Sequence, residues 1–129
     1  MSASAIRSHR DLIVWQKSMD LVVEVCAISA ALPAAERFGL VSQLNRAFVS
    51  VPCNIAEGHA RTGDRSFAHF LSIARGSLME VETLLQITQR LGYTADVRLI
   101  PLLGRITEIS KMLTALARKV QTPRESMPA

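Results

Sequence analysis

The chain has 129 residues, which allows one domain of ordinary size and excludes a multidomain enzyme. Hydrophobic residues make up 49% and charged residues 20%, enough apolar surface for a packed core and too little charge for a disordered chain. Fifteen Lys and Arg against eleven Asp and Glu leave a formal charge of +4, and twelve of those cations are Arg, whose planar fork suits carboxylate and phosphate partners.

The segment Met1 to Arg10 has no apolar run of the kind a secretory signal needs, and it is expected to be a flexible tail. The longest uncharged stretch near it, Val25 to Ala35, falls far short of the roughly 18 residues of a membrane span. Two cysteines, Cys26 and Cys53, lie in apolar-periodic segments and read as reduced core residues. A cytoplasmic protein is expected.

No segment alternates with period two, and aromatic residues are only 5%, so four helical segments account for the pattern. The first, Asp11 to Leu32, opens on Asp11 as an N-cap and ends at Pro33. Gln16, Lys17, Asp20, Glu24, Ala27 and Ala31 share one polar arc, and two apolar lobes fill the rest of the wheel. Trp15, Met19, Val22 and Cys26 form one lobe, which is expected to face the bundle core. Val14, Leu21, Val25 and Ile28, with Leu32, form the other. A bundle helix needs about one such stripe, so this second lobe is expected to be an oligomer interface.

The second segment, from Phe38 or Leu40 to about Ala56, repeats Leu40, Leu44, Phe48, Val51 and Ile55 in phase across Pro52, which predicts one kinked helix. Gly58 and Gly63 bracket the turn that follows. The third segment carries Phe67, Leu71, Ala74, Leu78, Val81, Leu85 and Thr88 in a four-three repeat, with Asp64 or Ser66 as cap and Gly92 at the C′ position. The fourth, from about Asp96 to Val120, places Leu99, Leu102, Ile106, Ile109, Leu113, Leu116 and Val120 on one stripe, with Pro101 in the first turn. Residues from Gln121 to Ala129 read as a second tail. Short connections between long helices predict an all-α, antiparallel up-down-up-down four-helix bundle in a single domain, with its core from about residue 11 to 120.

No chemistry of a familiar kind is encoded. The Glu-x-x-His pairs of a di-iron bundle, a Cys-x-x-Cys-His haem motif, Walker A and dinucleotide glycine fingerprints are missing, and His9, His59 and His69 have no partner at metal-ligand spacing. No catalytic residue, metal, cofactor or small-molecule substrate is therefore expected, and the protein is read as non-enzymatic. Gly63-Asp64-Arg65-Ser66 at a helix start is either a phosphate-holding turn or only a cap. On the second helix, Gln43, Arg46, Ser50, Asn54 and Glu57 form a polar ridge beside the apolar stripe, while Glu80 and Arg75 border the stripe of the third. No nucleophile with an oriented base can be built from these, so a hydrogen-bonded and ion-paired network is the expectation, and a ligand site the alternative. The fourth helix carries Arg98, Arg105, Lys111, Arg118 and Lys119, with Glu108 as its only acid past the first turn. Arg105, Lys111, Arg118 and Lys119 form either a solvated face or a phosphate-binding ridge.

These residues carry a resemblance. The runs Asp11 to Lys17, Gly39 to Ala47, Ser50 to Gly58 (Ser-Val-Pro-Cys-Asn-Ile-Ala-Glu-Gly) and Phe70 to Ser77, followed by Glu80, are similar to the pattern of the four-helix-bundle proteins named for the intervening sequences of bacterial 23S ribosomal RNA genes. The match extends from Asp11 to about Leu116; Cys53, where a small residue such as alanine is usual, and the loop His59 to Gly63 depart from it. The polar ridge, with Gly58, coincides with the family motif. The resemblance implies a ring-like homopentamer. It also implies kinship with the accessory protein of diversity-generating retroelements, a basic pentamer that partners a reverse transcriptase and nucleic acid. Partners implied are further copies of the chain, RNA or DNA, or a protein, and no membrane. A bundle of purely structural or protein-interaction role is the alternative.

Overall fold

A computed structural model describes residues 6–121 and forms four α-helices: α1 (Ile13–Ala30), α2 (Leu40–Ala60), α3 (Asp64–Arg90) and α4 (Asp96–Gln121). No strand occurs among the described residues, and the tail expected beyond Gln121 lies outside them, as do Met1 to Ala5. Sequential helices are joined by short connections and run antiparallel. The α2 and α3 helices share the most extensive contact, α3 and α4 the next, and α1 and α4 the least. No helix among the described residues is long and apolar enough to cross a membrane.

The segment Ser8–Asp11, placed in a tail by the sequence reading, forms a capped 3-10 turn over His9–Asp11. Ser8 Oγ accepts from the Arg10 N–H at 3.2 Å, and Asp11 Oδ2 accepts from the backbone N–H groups of Arg7 at 2.8 Å and Ser8 at 3.2 Å. Those two N–H groups hold the Asp11 carboxyl below the usual carboxylate range. Asp11 is thereby committed to the preceding turn and does not cap α1; Leu12 stands at the N-cap with no side-chain bond.

The α2 helix continues unbroken through Pro52, at the cost of the hydrogen bond that the Phe48 carbonyl would have accepted. Pro101 sits in the second turn of α4, later than expected, because the helix already begins at Asp96. The carbonyl it leaves without a helical donor belongs to Val97, which is 80% exposed. Gly92 adopts a φ of 79° and ends α3 in a Schellman turn: Tyr93 N–H donates to the Thr88 carbonyl at 2.9 Å and Gly92 N–H to the Gln89 carbonyl at 3.0 Å. Tyr93 OH then donates to Glu36 Oε2 at 3.1 Å, tying this turn to the α1–α2 connection, and that bond raises the phenol's pKa.

The core is one layer deep and continuous. Leu21 and Val25 of α1, Leu44, Val51 and Ile55 of α2, Leu71, Leu78, Val81 and Leu85 of α3, and Leu99, Ile106, Ile109 and Leu113 of α4 are all essentially solvent-free. Each such side chain contributes about 1.5–3 kcal/mol relative to remaining wet. The few buried hydroxyls are bonded within their own helices or to a neighbour, as in Thr88 Oγ1 to the Leu85 carbonyl at 2.7 Å and Ser29 Oγ to Asn45 Oδ1 of α2 at 2.9 Å.

The two lobes of α1 are reversed from the sequence reading. Val14, Leu21, Val25 and Ile28, expected to be an oligomer interface, are the helix's contribution to the subunit core. The lobe assigned to the core faces outward: Met19 and Cys26 are exposed, and Trp15 and Val22 only half-buried. The polar arc settles the rotation, because Lys17 pairs with Glu108 at 3.3 Å and Glu24 with Arg105, both partners lying on α4. Cys26 and Cys53 are free thiols, but they are exposed rather than in the core.

Candidate functional site

The polar ridge of α2 separates into two small groups. Asn54 Nδ2 donates to the Ser50 carbonyl and to Ser50 Oγ, each at 2.8 Å, and Ser50 Oγ lies 2.8 Å from Ser77 Oγ on α3. This partly buried knot pins the register of the α2–α3 seam. One turn further along α2, Glu57 pairs with Arg61 at 2.8 Å, and the Arg61 guanidinium lies over the Phe70 ring at 5.2 Å from its centroid. That ion pair is exposed and adds little stability.

Gln43, Arg46, Arg75 and Glu80 do not join the expected network. All four are exposed, and among the described residues their side chains form no hydrogen bond or ion pair. The expectation treated the edge of an apolar stripe as buried, whereas long side chains at a helix edge carry their charge into water.

Gly58 is not a turn residue. It is buried within α2, where a Cβ would lie 2.6 Å from Phe70 Cβ and 3.1 Å from Phe67 Cδ1. The missing side chain is what lets α2 and α3 approach so closely at this end of the bundle. His59 stands edge-on to Phe67 and His69 to Phe70, with centroids 5.6 and 5.5 Å apart, and His9 packs likewise against Trp15 at 4.9 Å.

The basic set of α4 is divided. Arg105 is committed to Glu24 of α1 in an interhelical ion pair, so it is a seam residue of the α1–α4 contact. Arg118 also has a partner. Lys111 and Lys119 are exposed. Seven residues apart, Lys111 and Arg118 share a face of α4 turned away from its apolar stripe. The sequence reading misses the pairing of Arg105 because it weighs α4 by itself, although the complementary charges Lys17 and Glu24 are visible on α1.

Around the start of α3, Thr62, Gly63, Arg65, Ser66 and His69 line a depression of about 510 Å³ open to solvent. Gly63 takes a φ of 100° there as the N-cap, and Asp64 already places a carboxylate in the first turn. The run thus serves as a cap. Among the described residues no three His, Cys, Asp or Glu side chains converge as metal ligands.

The outward face is the most distinctive surface. On α1 it carries Met19, Val23 and Cys26, with Val23 70% exposed. On α2 it continues through Val49 and Cys53, and on α3 it reaches Ile73, all exposed. This arrangement offers no nucleophile, base or enclosed cavity; it offers apolar area bordered by charge, which is the chemistry of association.

A family model described as 23S rRNA-intervening sequence protein matches residues 10–115. The chain belongs to that family. A solved structure of a protein of unknown function from the S23 ribosomal protein family of Bacteroides thetaiotaomicron has the same fold, with a TM-score of 0.76 and 24% identity over 81% of this chain and 98% of that one. No curated protein matches the chain in sequence.

Proposed function

For this member of the 23S rRNA-intervening sequence protein family, we propose a non-enzymatic subunit that assembles with copies of itself into a scaffold, a ring of five by the family resemblance. The scaffold acts in the cytoplasm and presents basic surfaces to RNA or DNA, or to an enzyme that works on them, as the kinship with the retroelement accessory protein implies. One observation carries the reading: the outer lobe of α1, with Met19, Val23 and Cys26 exposed beside half-buried Trp15 and Val22, is apolar surface that a lone bundle leaves wet.

Assembly changes what the charge can do. A subunit of +4 holds a polyanion weakly, whereas five copies bring about +20 to one particle and engage many phosphates together. Binding is therefore expected to be independent of sequence and to fall steeply with salt. Fluorescence anisotropy with labelled RNA and DNA, titrated at several salt concentrations, measures it. Lys111→Gln with Lys119→Gln should flatten the plot of log affinity against log salt, by roughly 0.7–0.9 for each phosphate that is no longer neutralised. Arg105→Gln, which removes a cation already held by Glu24, should leave the slope unchanged. No binding at low salt by the intact assembly would replace this part of the reading with a purely protein-interaction scaffold.

A further inference from the structure

We infer that the outer face of the α2–α3 seam docks a second copy of this chain through an ion pair between Arg46 of one subunit and Glu80 of the other. The inference rests on the self-assembly reading above and assigns it a surface.

The Ser50–Ser77 contact at 2.8 Å fixes the antiparallel register of the two helices. Arg46 lies one turn before Ser50, and Glu80 lies three residues after Ser77. In antiparallel helices these displacements run the same way, so the two residues stand at one level on opposite shoulders of the seam. Each is exposed, and neither is paired among the described residues. Other acids near the interhelical seams are engaged, Glu57 with Arg61, and Glu24 and Glu108 with Arg105 and Lys17. Beside Arg46 and Glu80 lie exposed Val49, Cys53 and Ile73, and Val49 continues the strip toward the apolar outer face of α1.

The balance of charge selects the occupant. A polyanion reaching Arg46 would meet Glu80 beside it, and an anionic membrane surface would be repelled in the same way. A second copy brings one Arg and one Glu to a face that presents one Glu and one Arg, with apolar area between to cover. Desolvation beside that area strengthens a guanidinium–carboxylate pair and makes it selective for the matching partner.

Charge reversal on the full chain tests this. Arg46→Glu and Glu80→Arg should each weaken self-association by at least about tenfold, read as loss of assembled mass in light scattering at micromolar concentration. The double variant Arg46→Glu/Glu80→Arg should restore it. Both positions are exposed, and circular dichroism checks that helix content is retained; Arg46→Gln and Glu80→Gln, which remove charge without reversing it, should give intermediate losses. Single reversals that keep the wild-type mass would overturn this surface while leaving the self-assembly reading intact. A double variant that stays dissociated would overturn the pairing. A wild-type chain that is itself monomeric would remove the assembly reading and this inference together.

Discussion

Val25→Asp is expected to unfold the subunit, whereas Val23→Asp, two residues away on α1, should leave it folded and reduce only its assembled mass. Val25 is 0% exposed and Val23 70% exposed, so the same chemical change meets opposite surroundings. At Val25 the carboxylate would be enclosed by apolar side chains with no donor aimed at it. The lost burial of a valine costs about 1.5–3 kcal/mol, and the enclosed charge adds several more. Together these rival the roughly 5–15 kcal/mol that holds a domain of this size together. At Val23 the carboxylate stays hydrated in the free subunit and becomes costly only when a neighbour covers it. Urea unfolding followed by circular dichroism, with light scattering on the same samples, separates the two effects. A folded Val25→Asp chain of altered mass beside an unaffected Val23→Asp chain would mean that α1 is rotated, with Val23 inward and Val25 outward.

The second large effect is at Gly58. Gly58→Ala should destabilise the subunit although the substitution favours helix formation. The added Cβ would lie 2.6 Å from Phe70 Cβ, an atom fixed to the α3 backbone that can yield only if the helices separate. Overpacking of that kind costs about 1–3 kcal/mol or more, which outweighs the roughly 1 kcal/mol of helix propensity gained. Gly104→Ala, inside α4 with nothing within 4 Å of the new Cβ, should show the propensity gain alone, about 0.5–1 kcal/mol. Melting temperatures therefore move in opposite directions for the two alanines. An equal gain at both would mean that the α2–α3 seam has room to spare at Gly58.

The helices are legible because their apolar stripes persist for many turns. The repeat Leu44, Phe48, Val51 and Ile55 carries α2 through Pro52, and the bundle follows from four such stripes joined by short connections. Gly58 is assigned wrongly to a turn by its residue type, although it continues that same spacing three residues after Ile55. A glycine that falls on an apolar stripe reads better as a point of close helix contact than as a turn.

Rotation of α1 is not legible from periodicity, since both lobes are apolar and a wheel gives angles without saying what lies opposite. The information is present in the charges. Matching Lys17 and Glu24 on α1 to Glu108 and Arg105 on α4 turns the polar arc toward α4 and sends Val14, Leu21, Val25 and Ile28 inward. The polar motif is legible as a ridge, but its internal pairing is not. Ser50 and Asn54 find Ser77, a hydroxyl whose position depends on the α2–α3 register, while Arg46 and Glu80 stay in water. Whether a residue beside a stripe is covered depends on how closely the neighbouring helix approaches, which α2 alone does not encode.

Light scattering coupled to size exclusion on the intact chain at micromolar concentration tests the central claim, that the outer face of α1 is covered by another subunit. The predicted result is a single assembled species of about five times the 14.1 kDa subunit. A particle of 14.1 kDa, stable and folded with Met19 and Val23 in water, would contradict it.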